Sequence, residues 1–228
     1  MQVTSTVHMV QDSAIPRLLI AAHGTRSAAG SATTAALTAA IAGARPAVPV
    51  SLCFLDVAAP SLAEALDALA APVVVVPLLL STGYHVQTDI PTIVAGRPGV
   101  RVARHLGPDP LVVDALLERL GPADAAATAL VGIGSSRAEA RDELAVAGRL
   151  LGSRLGREVT VLTLAEDVRG ALADLPPPVN VATYLLAEGR FLDALRAAAA
   201  GIAFVADPIG VHPALISLVL ARYDEALR

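Results

Sequence analysis

The chain has 228 residues, 54% of them hydrophobic and 3% aromatic, with a formal charge of -4. That length suits one large domain or two of about 100 residues, and the mild acidity with no basic cluster argues against a nucleic-acid surface. All 17 basic residues are arginine, so Schiff-base and P-loop lysine chemistry are excluded and any anion clamp must use arginine or backbone N–H.

The first residues, MQVTSTVHMVQDSAIP, lack the basic start and apolar centre of a signal peptide. They read as a flexible polar tail over 1–15, which gives His8 no role and suits a cytoplasmic protein. No apolar run reaches the ~18 residues of a membrane span. Strand one is expected at 17–22, followed by the turn His23-Gly24-Thr25-Arg26 and an alanine-rich helix over 28–42. Strand two covers 48–55 and holds the one cysteine, Cys53. A lone thiol makes no internal disulfide, Cys-based zinc site or iron–sulfur cluster, and here it reads as a small buried hydrophobe. Asp56 follows, then a helix over 61–69 with Ser61 as N-cap. Four valines bounded by prolines, in strand 73–80, look buried on both faces, as in a parallel sheet. Ser81-Thr82-Gly83 breaks that run, and Tyr84 and His85 open a helix reaching about 95. A short strand over 100–104 and a helix ending near 120 close the first half.

Gly121-Pro122 marks a boundary. Beyond it the order recurs: strands at 129–133, 159–164, 179–186 and 202–206, each followed by a helix. The chain therefore reads as α/β, two similar lobes over 16–122 and 123–228, each a four-stranded parallel sheet flanked by helices. By eye, His23-Gly24-Thr25-Arg26 faces Gly134-Ser135-Ser136-Arg137, and LLSTGYH faces LLAEGRF. On that alignment the second copy has Gly134 and Phe191 where the first has His23 and His85. Losing both imidazoles together points to a single functional site in the first lobe.

His23, Asp56 and His85 each end one of three successive strands, 33 and 29 residues apart. Ligands bind beyond the carboxyl ends of parallel strands, so these side chains are expected to share one cleft. Imidazole and carboxylate suit Fe²⁺, Co²⁺, Ni²⁺ or Zn²⁺, and neutral imidazole also accepts protons near pH 7. The plainer reading has each histidine capping a turn.

AAHGTR followed by VVVVPLLLSTGYHVQTDIP resembles the sirohydrochlorin chelatases of the CbiX/SirB type, in their long two-lobed form. The resemblance implies insertion of Fe²⁺ or Co²⁺ into sirohydrochlorin, for siroheme or cobalamin, by two histidines with an acid between them. That pattern falls on His23, Asp56 and His85, with His23 and His85 as metal ligands. Many relatives have glutamate where Asp56 stands, one methylene longer. Gly24, Thr25, Arg26 and Tyr84 are the expected substrate contacts, with Arg137 and Arg190 as further arginines for the macrocycle's carboxylates. No resident cofactor is implied beyond the metal substrate. The partners expected are the tetrapyrrole, with no nucleic acid and no membrane, in a monomer or homodimer. A carrier of metal or tetrapyrrole without turnover is the rival reading. Phosphoryl transfer by His23 is weakened because Ala22 precedes it. Gly132-Ile133-Gly134 lacks the third glycine of a dinucleotide fingerprint, the place falling on Arg137. His105 and His212, in matching loops, are expected to cap those loops.

Overall fold

The computed structural model describes residues 15–228; the tail expected over 1–15 lies, except for Ile15, outside them. In the first half, β1 (Arg17–Ala22) leads to α1 (Ala28–Ala44), β2 (Val50–Phe54), α2 (Leu62–Ala68) and β3 (Val73–Leu78). One π-helical turn, His85–Asp89, then runs into α3 (Ile90–Val94), β4 (Val100–Val102) and α4 (Pro110–Arg119). The second half repeats this with β5 (Ala127–Gly132), α5 (Ala138–Leu155), β6 (Thr160–Thr163), α6 (Val168–Ala173), β7 (Val179–Thr183), α7 (Arg190–Ala199), β8 (Ala203–Val205) and α8 (Pro213–Leu227). Both sheets are four-stranded and parallel, in the orders β2-β1-β3-β4 and β6-β5-β7-β8. All six residues of β3 are buried, as its unbroken apolar run requires. Ser61 does cap α2, in a reciprocal box with Glu64.

Strand alternation divides each sheet between two cores. Leu18 and Ile20 of β1 face a large shared core that also takes Leu130, Leu151, Leu215 and Val219. Leu19 and Ala21 face outward onto Leu62, Leu66 and Ile90. Ala129, Val131, Leu172 and Leu195 form the matching outer layer of the second half.

The last helix of each half crosses to the other. α4 packs on β7, while α8 packs on α1, α4, β3 and β4. The Tyr223 hydroxyl of α8 donates to Pro16 O at 2.6 Å, and Asp224 pairs with Arg45 of α1. Arg222, 2% exposed, donates to the His105 carbonyl and to Asp109 Oδ2. Burying Leu215, Leu218, Val219 and Leu220 of α8 there contributes about 1.5–3 kcal/mol per side chain. The lobes are thus interlocked rather than strung side by side.

The repeat is also in a different register from the one read by eye. Gly24 and Gly134 share φ +95, and Leu55 N donates to Ala22 O just as Leu164 N donates to Gly132 O. The turn glycine is the fixed point, because only there must the chain enter the left-handed region. The counterpart of His23 is therefore Ile133, not Gly134. The counterpart of His85 is Phe191, as expected.

Candidate active site

The strand order explains where the site lies. β1 connects leftward to β2, but the chain then returns across β1 to β3 and continues to β4. The connections leaving β1 and β3 diverge, opening a crevice between their carboxyl ends. His23 follows β1 directly and His85 opens the π-helical turn after β3. Their ring centroids are 4.8 Å apart at an interplanar angle of 88°. Both line a cleft of about 920 Å³ whose other walls come from the second lobe, including Ile133, Tyr184 and Phe191.

Each imidazole is anchored through the same nitrogen. His85 Nδ1 lies 2.6 Å from Asp89 Oδ2, and His23 Nδ1 lies 3.3 Å from Gly24 O. A carboxylate and a carbonyl can only accept, so in the neutral ring each Nδ1 carries the hydrogen and donates it. That leaves both Nε2 atoms with free lone pairs, the state a ligand to a divalent ion needs. Asp89 was not singled out from the sequence, although it stands four residues after His85 on the same helical segment. That spacing was its available signal.

Gly24, Thr25 and Arg26 line the cleft with His23. Gly24 is there because a Cβ would meet the Asp56 carbonyl oxygen at 2.0 Å. Thr25 Oγ1 accepts from Ser27 N at 3.0 Å, shaping the turn into α1. Arg26 is exposed at the cleft wall.

Asp56 adjoins His23 through its backbone but does not line the cleft. β2 flanks β1 on the side away from β3. The exposed Asp56 carboxylate turns back to accept from Val57 N at 2.7 Å. Its backbone does the work near the site: Asp56 N donates to His23 O at 2.9 Å and Ala58 N donates to Asp56 O at 2.7 Å. These bonds hold Val57 at φ +67, a left-handed conformation strained for a β-branched residue, on the cleft wall. Tyr84 is 60% exposed, with its ring centroid 6.5 Å from that of His85, and it stands outside the cleft lining. Among the described residues, no group of three or more His, Cys, Asp and Glu gathers as a closed metal cage.

The arginines divide in a way the sequence did not foretell. Arg190 lines the cleft with its guanidinium 4.6 Å from the Phe191 ring centroid. Arg137 instead donates to Gln87 of the first lobe. Arg141 does line the cleft, tied to the carbonyls of Ser135 and Ser136. His212 caps α8, accepting from Ala214 N at 3.2 Å through Nδ1. His105 does not cap its loop. It is buried between the lobes with Nε2 3.1 Å from Glu143, because α5 presses that carboxylate onto it.

Fold and cleft together define a two-lobed α/β protein with an imidazole pair at the switch point of one lobe. The CbiX family model matches residues 17–123, the stretch of the first lobe. No curated protein matches the chain. Among solved structures, the sirohydrochlorin chelatase SirB from Bacillus subtilis subspecies spizizenii, in complex with cobalt, aligns with a TM-score of 0.78. Its identity is 23%, over 93% of this chain and 95% of that one. SirB from Bacillus subtilis with Fe³⁺ gives 0.77 at 24% identity with the same coverage. CbiX, described as the terminal enzyme for biosynthesis of siroheme in denitrifying bacteria, gives 0.69 at 24% over 93% and 100%. At these identities the likeness establishes the fold across both lobes.

Proposed function

We propose that this protein is a chelatase that inserts Fe²⁺ or Co²⁺ into sirohydrochlorin. The observation that carries the proposal is the pair of Nδ1-anchored imidazoles, 4.8 Å apart, in a cleft walled by both lobes. A flat macrocycle requires such a gap, and a labile ion requires ligands that leave exchange positions open. The solved SirB structures, one in complex with cobalt and one with Fe³⁺, support the same reading.

His23 and His85 hold the incoming ion through Nε2. Insertion exchanges one M²⁺ for two pyrrole N–H protons, and a proton acceptor must stand beside the ring. Each imidazole can take a proton once it lets go of the metal. Asp89 keeps His85 in the metal-binding tautomer. Asp56 shapes the wall through its turn. Arg26, Arg141 and Arg190 face the substrate's carboxylates, while Ile133, Leu144 and Phe191 offer the opposite wall an apolar surface for the ring. Because duplication supplies both walls from one chain, a monomer suffices for catalysis. No helix among the described residues is long and apolar enough to cross a membrane, and a cytoplasmic setting belongs to the same proposal.

The test is spectroscopic. Purified protein, sirohydrochlorin and Fe²⁺ or Co²⁺ are mixed anaerobically and the absorbance change is compared with the protein-free rate. Wild type accelerates insertion, and His23→Ala and His85→Ala abolish the acceleration. Unchanged acceleration in both variants refutes the assignment. Tight metal or tetrapyrrole binding without insertion would make the protein a carrier.

A further inference from the structure

The second lobe has lost its imidazoles, yet one of its carboxylates holds the histidine loop of the first. Glu143, on α5, accepts from Thr82 N at 2.5 Å through Oε2 and from the Thr82 hydroxyl at 2.9 Å through Oε1. Oε1 also lies 3.1 Å from His105 Nε2. Thr82 lines the cleft and stands three residues before His85. The other ties on this loop are to the carbonyls of Leu79, Leu80 and Gly83. Glu143 grips the loop midway, fixing both the backbone and the rotamer of one residue. Bonds to an ionised acceptor are the strong ones, and two on one residue restrict it more than either alone.

We propose that Glu143 is a positioning residue for metal insertion: by holding Thr82 it sets His85 against His23. This rests on the chelatase reading above. Glu143 touches neither imidazole and acts through the loop. His105 steadies it in turn, and the His105 carbonyl is held by Arg222 Nε at 3.2 Å. The silent lobe thereby acquires a part in the site beyond walling it. A displaced ligand loop lowers affinity for the ion and turnover together, because both need the two Nε2 atoms at one spacing.

The experiment titrates wild type, Glu143→Ala and Glu143→Gln with Co²⁺ alone, then measures Co²⁺ insertion by each. Glu143→Ala is expected to weaken Co²⁺ binding and to lower turnover at saturating Co²⁺ by about 10–100-fold, as for other groups that orient metal ligands. Glu143→Gln keeps an acceptor for the Thr82 N–H and stays within about threefold of wild type. A residue that merely stabilised the fold would lower the unfolding midpoint and leave the folded protein's Co²⁺ affinity unchanged; that result overturns the proposal. Should the alanine variant not fold, Glu143→Asp, one methylene too short to reach, takes its place under the same criteria. If wild type binds Co²⁺ but inserts none, the chelatase reading fails, while the affinities still judge Glu143.

Discussion

Replacing Gly24 by alanine strikes the turn that presents His23, and the structure sets the size of the effect. Gly24 has φ +95, where an L side chain costs about 1–2 kcal/mol. The added Cβ would also lie 2.0 Å from the Asp56 carbonyl oxygen, whereas real Cβ contacts essentially never fall below 3.0 Å. The turn must therefore retreat by about 1 Å, and a displacement of that size at a reacting group costs about 100-fold in rate. The obstacle cannot swing aside, because it is backbone, tied to the same turn by the Asp56 N–H bond to His23 O. With overpacking strain of about 1–3 kcal/mol added, Gly24→Ala should lose about 2–5 kcal/mol of stability and about 100-fold of metal insertion. Urea unfolding and the anaerobic insertion assay read the two losses separately. Gly156→Ala is the control. It shares a left-handed φ, +66, at the end of α5 but has nothing within 4 Å of its added Cβ. It should show the backbone cost alone, with full turnover. If Gly24→Ala turns over as fast as Gly156→Ala, the reasoning from the turn to the site is wrong.

Further outcomes follow from the same geometry. Asp89→Asn removes the carboxylate that accepts from His85 Nδ1 and should weaken Co²⁺ binding about 10–100-fold; Asp56→Asn, whose oxygen can still accept from Val57 N, should cost less, and the reverse order in a Co²⁺ titration refutes this assignment. Burial holds the His105 imidazole below its ordinary value of 6.5, against the opposing pull of Glu143. Below 6.5 the unfolded chain therefore takes up a proton that the folded chain refuses, so the His105 contribution is complete above 6.5 and declines as pH falls. His105→Gln should flatten the fall in stability between pH about 7.5 and about 5.5 in urea unfolding, and an unaltered slope counts against it. Cys53 is fully buried and its thiol is pushed up to about 12. A thiol reagent at neutral pH should label it only as fast as the protein unfolds, and rapid labelling under native conditions would contradict that.

Much of this molecule could be read along the chain. The valine run of β3, the alternation of β1 and the glycine–proline punctuation give the elements, since each reports a local conformational preference or a local periodicity. His23 was visible because it directly follows such a strand, and His85 because it opens the helical segment after the next buried one. Asp89 carries a weaker signal, its i,i+4 spacing from His85, which marks a partner only once the segment is known to be helical. Glu143 and Arg141 carried no signal: they lie on an amphipathic helix of the other lobe, and nothing in their spacing shows that their face turns towards the cleft. The register of the two halves is one residue from that of their letters, because what they share is the positive φ of the turn glycine, Gly24 and Gly134.

By itself, the sequence determined a duplicated α/β chain with two imidazoles at strand ends in its first half. Apolar periodicity and turn residues act over a few neighbours, so they survive reading in one dimension. Only the tertiary structure decided which strand ends adjoin. β1 lies between β2 and β3, which joins His23 to His85, while the Asp56 carboxylate is taken up by Val57 N and Asp56 does not line the cleft. It also decided that α4 and α8 trade lobes. A buried stripe states that a helix must be covered and is silent on what covers it, because hydrophobic burial has no direction.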